Sequence, residues 1–385
     1  MTLMQPLLPV PPSVLDGAEG RAVEARLPER SAVRPATRLT ASGQGDVLRR
    51  HLMVGLALSL VALGMLLHRA GLRIDPWRAG NLPFYLAGAV ALACRHFLPR
   101  MRWRHAQAGA AFSEYAALFA AISLMGAAAS YPVAALTHGY ADDALQRIDE
   151  ALGFDWLALY RQVVAHPWLQ VLGTTAYRSI YITPALLLWS AAKSGQREAA
   201  YRFLAGFWLA AVITLAVFSL MPALGPFSHL WHQPIVYMPE SELWQPGLIP
   251  ALRAHGVHVV DLAHLRGIVS APSFHTAAAV LYIVAAWRIP GLRWPVIALN
   301  AAMLLSTPVE GTHYLIDMIL GAAVAVTALL LLEWHVRRLK AGAVRGSRWT
   351  AARQYGSERA ASTSEDRREF HIGPPSRQAE GGWAP

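Results

Sequence analysis

The chain has 385 residues, 55% hydrophobic and only 15% charged, with a mean hydropathy of +0.32. That is too apolar for an ordinary soluble enzyme of this size. The net charge of +10 invites a nucleic-acid reading, but the arginines flank apolar stretches instead of forming one aromatic-interleaved surface, so membrane topology accounts for them and no nucleic-acid partner is expected. A lone cysteine, Cys94, inside an apolar stretch excludes a disulfide framework and a cysteine-based zinc site.

Residues 1–46 are rich in Pro and Arg without apolar periodicity and read as a disordered cytoplasmic tail. Apolar stretches follow near 52–68, 82–98, 110–131, 169–191, 201–222, 271–287, 294–309 and 313–333, each close to the roughly 20 residues that cross a hydrocarbon core as a helix. The preceding tail is too long and too acidic for a signal-peptide n-region, so the first stretch is expected to act as an uncleaved insertion signal. Arg49 and Arg50, the run "RHFLPRMRWRH", Lys193, Arg197 and Arg202, Arg288 and Arg293, and "HVRRLK" all fall on one side of this arrangement. By the positive-inside rule that side is cytoplasmic. The other side holds Asp142, Asp143, Asp149, Glu150 and Asp155 and the long segment 223–270; Arg69, Arg73 and Arg78 in the first outer loop run against the pattern. Residues 337–385, basic and rich in Ser and Gly, read as a second disordered tail. The expected fold is an all-α polytopic membrane protein of the cell membrane: two additional spans over 47–109, then a six-helix core over 110–336.

Two stretches carry polar residues where a span begins. In "SAPSFHTAAAVLYIVAAW", Pro272 suits a first helical turn, so the amides of Ser273, Phe274 and His275 are expected to form an anion-binding helix start. In "TPVEGTHYLIDMILGAAVAV", His313 and Asp317 lie four apart and are expected to share one helix face, where the carboxylate fixes the imidazole tautomer and leaves the other nitrogen a better nucleophile or base. Two crossings separate the stretches, which returns both histidines to one membrane surface. Pro308 and Gly311 supply the turn into the last span. An anion-binding helix start, an oriented histidine and a second histidine free to move protons point to phosphoryl transfer. Ionisable groups near a span are costly and usually functional.

"SAPSFHT" and "GTHYLIDMILG" resemble the second and third motifs of the type 2 phosphatidic acid phosphatase superfamily, and its inositol phosphorylceramide synthase branch in particular. The resemblance covers roughly residues 110–333. It implies that His313 is the nucleophile forming a phosphohistidine, Asp317 its partner, His275 the acid and then the base, and Ser273 a ligand of a phosphate oxygen. The substrate class it implies is a lipid phosphate at the membrane bilayer, with water or an alcohol acceptor such as inositol. The phosphatases of that superfamily also carry a first motif with a lysine and an Arg-Pro pair, and an arginine six residues before the nucleophile. Here the only lysines are Lys193 and Lys340, the arginine position is Thr307, and the first-motif region reads "SLMPALGPFSHL", whose prolines resemble the synthase branch.

Another cation must then meet the phosphate, and Arg266 and Arg178 are the candidates. His255, His258, Asp261 and His264 match no strong zinc spacing, and the mechanism requires no metal or cofactor, since a helix start, Ser273 and an arginine can neutralise the charge. Trp156, Tyr160 and Trp168 read as headgroup-level anchors. A lipid phosphate or polyprenyl pyrophosphate phosphatase is the rival enzyme. A transporter or non-catalytic lipid-binding protein is the rival of another class, but transporters place discontinuous helices and polar groups at the bilayer midplane, whereas these polar residues cluster at one surface.

Overall fold

The computed structural model describes residues 41–341. Its α-helices are α1 (Ala41–Arg69), α2 (Leu82–Phe97), α3 (Ala106–Ala135), α4 (Asp142–Ala151), α5 (Trp156–Ala165), α6 (Pro167–Arg178), α7 (Thr183–Lys193), α8 (Arg197–Leu220), α9 (Pro226–Leu230), α10 (Gln245–Arg253), α11 (Phe274–Ala286), α12 (Arg293–Glu310) and α13 (Leu315–Ala341). Among the described residues, only β1 (Arg73–Ile74) and β2 (Val259–Val260) pair as strands, in parallel. The protein is an all-α multi-pass membrane protein. Helix α1 begins at Ala41 and α13 reaches Ala341, inside the segments read as tails; the rest of both tails lies outside the described residues.

Among the described residues, five helices are long and apolar enough to cross a membrane: Gly43–Arg69, Ala79–Arg100, Ala106–Ala135, Arg197–Leu220 and Leu315–Ala341. The other three expected spans differ. The stretch 169–191 is split into α6 and α7 by a 3-10 turn at Ser179–Tyr181, where Pro184 lacks the N–H that would bond the Ile180 carbonyl in a continuous helix. The sixth stretch yields the 13-residue α11, and the seventh the 18-residue α12.

Beyond its first turn helix α11 is apolar all round, and most of it is enclosed by other helices. Ala277, Ala278, Ala279, Tyr282 and Ala286 are fully buried, and α11 packs against α7, α8 and α12. Small residues let the backbones approach closely, the usual basis of helix packing in membranes. The tightest approach is Gly321 of α13, where an added methyl would run into the Ser273 carbonyl and lie 3.1 Å from Thr276 Cβ.

The cationic segments meet at one end of the bundle. Arg49 and Arg95 both engage Glu114, Arg197 bonds Asp46 at 2.8 Å, and Arg202 bonds Glu333. At the other end, residues 222–273 form a roof whose Ile249, Leu252, Val260 and Ile268 pack on Leu63 and Leu67 of α1 and Ala128 and Tyr131 of α3. The first outer loop joins this roof: Arg73 pairs with Val259 across the strands, and Arg78 bonds Asp261 at 2.5 Å. That pairing accounts for one arginine that ran against the charge pattern.

Replacing Gly321 with Ala should destabilise the protein by about 1–3 kcal/mol, the usual cost of overpacking, whereas Gly64→Ala, with nothing within 4 Å, should not destabilise it. Thermal unfolding in detergent distinguishes the two.

Candidate active site

The polar cluster is assembled from the starts of α11 and α13. Ser273 caps α11: its Oγ accepts from Thr276 N at 3.3 Å and Thr276 Oγ1 at 3.2 Å, and the residue is fully buried. Its own amide is not free, as the sequence reading expected, but donates to the Asp317 carbonyl at 2.9 Å. The amides of Phe274 and His275 remain, by helix geometry, without carbonyl partners in α11. His275 stacks on Tyr177 with ring centres 4.2 Å apart, and its Nδ1 lies 3.1 Å from the Tyr177 hydroxyl. Tyr177 stands at the last turn of α6, just before the break in that span.

His313 precedes α13 and is not on it, so the expected common helix face with Asp317 does not exist. The histidine sits in a turn in which Thr312 has φ +50° and His313 N donates to the Pro308 carbonyl at 3.1 Å. The two side chains still face each other, with His313 Nδ1 3.7 Å from Asp317 Oδ2. Both are buried, and His313 Nδ1 and Asp317 Oδ1 have no hydrogen-bond partner. A shift of less than about 1 Å closes that gap to hydrogen-bond range. Gly311 makes the approach to α6 possible: a Cβ there would lie 2.6 Å from His313 Cδ2 and 3.1 Å from the Tyr177 hydroxyl. A side chain at 311 would thus crowd both His313 and Tyr177.

Several buried groups hold these segments in place, and sequence reasoning missed their roles. Asp149 of α4 accepts from Leu315 N at 2.7 Å and Ile316 N at 2.9 Å, capping α13 from another helix. Burial raises its carboxyl above the usual range, while the amides of Ile316 and Leu315 pull it back. Asp142, two helical turns earlier, accepts from Leu224 N, Gly225 N and the Tyr314 hydroxyl. The spacing of the two aspartates put them on one helical face, but the sequence reading used them only for topology. Glu310, 1% exposed, accepts from the Tyr237 hydroxyl at 2.8 Å and Glu240 N at 3.2 Å, which ties the roof to the end of α12. Burial, foremost, pushes the Tyr237 hydroxyl up to about 12, so it remains a donor. An acid inside an apolar stretch was the available signal for Glu310. Trp156 and Tyr160 are not headgroup anchors. Both are buried against Phe227, and they donate to the carbonyls of Pro308 at 2.7 Å and Tyr237 at 2.6 Å; only Trp168 is exposed.

The two candidate arginines are differently placed. Arg266 lays its guanidinium over Trp244, 4.1 Å from the ring centre. Arg178 follows Tyr177 directly and makes a two-pronged pair with Glu240 at 2.7 and 2.9 Å. Thr307, at the position where an arginine was expected, is buried and bonds back to the Met303 carbonyl. Asp261 of the loop histidine set is engaged by His264 and Arg78, and the His264 hydrogen bond leads in holding its carboxyl below the usual range.

Residues 143–331, which contain both histidines, Ser273, Asp317 and Asp149, match the family model of the PAP2 superfamily. No curated protein and no solved structure matches the chain. The protein is an enzyme of the phosphatase and phosphotransferase kind; PAP2 phosphatases, which this segment is similar to, act on lipid phosphates in membranes.

Asp149→Ala removes the acceptor for two buried amides and should cost about 0.5–2 kcal/mol of stability, as lost helix caps do. Asp149→Asn keeps one acceptor oxygen and should lose less in both melting temperature and phosphate release.

Proposed function

We propose that the protein moves a phosphorylated headgroup from a lipid through a phosphohistidine on His313 to an alcohol or water, in the manner of the inositol phosphorylceramide synthase branch. One observation carries this reading: His275, Tyr177, His313 and Asp317 form one buried cluster beside the start of α11. Asp317 faces His313 Nδ1, which leaves Nε2 as the attacking atom. Nε2 forms a bond to phosphorus as the bond to the leaving oxygen breaks, and His275 gives that oxygen its proton. His275 then takes a proton from the acceptor, whose oxygen attacks phosphorus and releases His313. The α11 amides and Ser273 receive the phosphate oxygens. Arg178 follows Tyr177, whose hydroxyl meets His275, and exchange of Glu240 for phosphate makes it the cation; Arg266 is the second candidate. Thr307 in place of an arginine, and the absence of a lysine from the site end, favour the synthase-like reading over a plain phosphatase.

Rapid acid- and base-quench experiments test the covalent step, because a phosphohistidine is acid-labile and base-stable. With a substrate whose leaving group needs no protonation, His275→Ala should accumulate labelled enzyme, His313→Ala should carry none and Asp317→Asn less than wild type. Label retained in His313→Ala and lost in His275→Ala reverses the roles. Incubation with labelled phospholipid with and without inositol decides the acceptor: label on a new lipid supports transfer, and free phosphate alone supports hydrolysis.

By the positive-inside rule, the charge distribution supports a periplasmic or exterior face for the histidine cluster. In a Cys94→Ser background, a cysteine replacing the exposed Val236 should react with an impermeant maleimide in intact cells. Reaction only after lysis inverts the topology.

A further inference from the structure

We propose that the arginine-rich end of the bundle holds a second binding site, for a phosphate-bearing anion presented as a phospholipid headgroup or as free phosphate. A cavity of about 820 Å³ lies there between the end of α2, the start of α3 and the turn from α7 to α8. That volume falls within the roughly 300–1,000 Å³ of small-molecule sites. Four permanent cations from three segments line it, Arg95, Arg104, Lys193 and Arg197, against a single carboxylate, Glu114.

The carboxylate is already neutralised. Glu114, 9% exposed, is held by Arg49 at 2.5 Å, by Arg95 and by the Tyr201 hydroxyl at 2.9 Å. Arg197 is paired with Asp46. Among the described residues, Arg104 and Lys193 have no carboxylate partner, and Arg104 instead directs Nε at His105 Nε2, 2.6 Å away. A guanidinium fork and an ammonium lacking carboxylate partners, both lining one hollow, are the two donor types that recognise phosphate. Topology alone asks only that basic residues sit at this end; it does not require three segments to converge on one cavity. Leu92, Ala108 and Ala111 give the cavity an apolar wall, which suits a headgroup still attached to its chains.

The site is separate from the histidine cluster. Helix α8 begins at the cavity with Arg197 and runs 24 residues, about 36 Å, to the end where Pro222 accepts from Ala141 N beneath the roof. Much of the cavity comes from residues 92–115, outside the segment matched by the family model. The inference therefore stands whether or not His313 is the nucleophile.

Native mass spectrometry and thermal unfolding of the full-length protein test it, with phosphatidylglycerol, phosphatidylcholine and inorganic phosphate as probes. Each basic residue near an anionic headgroup contributes about fivefold, so Arg104→Gln with Lys193→Gln should lower phosphatidylglycerol retention on the order of tenfold or more. Both side chains are exposed, and the melting temperature in phosphatidylcholine should match wild type. Arg338→Gln with Lys340→Gln, at the same end but outside the cavity, should leave retention unchanged. A stabilisation by inorganic phosphate that the first variant abolishes, without selective lipid retention, assigns the site to the free anion. Equal losses in the two variants, or no preference for phosphatidylglycerol over phosphatidylcholine together with no phosphate-dependent shift, overturn the proposal.

Discussion

The first turn of α13 depends on a carboxylate from elsewhere in the chain. Asp149 takes the amides of Leu315 and Ile316, Asp317 reaches back to the amide of Tyr314, and the Asp317 carbonyl takes the amide of Ser273. These bonds fix where α13 starts, how it meets α11, and which way Asp317 faces. Free helix-terminal amides buried away from water are expensive. The short surface helix α4 therefore does more than connect two spans, since it supplies the buried acceptors on which the histidine-bearing turn is built.

The roof works in the same way through Glu310. A buried carboxylate without a cation is tolerable only when donors surround it, and here they come mainly from the roof: the Tyr237 hydroxyl and the Glu240 amide, with Thr174 at 3.4 Å from α6. Ser241 N adds a bond to the Glu310 carbonyl at 2.9 Å. Removing the roof strands the charge, so the segment over the site and the end of α12 are stable only together. The same arrangement explains the burial of the cluster, with His313 at 3% exposure.

Much of this was legible in the chain. Pro272, Ser273 and His275 announced a helix start, and an Asp following His313 announced a pair, because caps and short spacings are local. The error over the common helix face was also local in origin: a spacing of four implies one face only if both residues are helical, and the positive φ of Thr312 keeps His313 out of α13. Tyr177, Asp149 and Glu310 were not assigned roles because their partners lie 98, 166 and 70 residues away, and contacts of that range leave no periodic trace in one sequence. Trp156 and Tyr160 misled for a related reason, since tryptophan and tyrosine serve equally as interfacial belts and as buried donors.

Helix α11 has 13 residues and rises about 20 Å, against roughly 30 Å of hydrocarbon core. Its length sets how far His275 stands from the arginine-rich end. Each added residue would lift that histidine by about 1.5 Å and also turn it by roughly 100°, away from Tyr177. Depth and facing cannot be varied independently along a helix. Insertions or deletions in α11 are compatible with the stacked pair only in steps near a whole turn, about 5.4 Å, so the level of His275 is a quantised property of this protein.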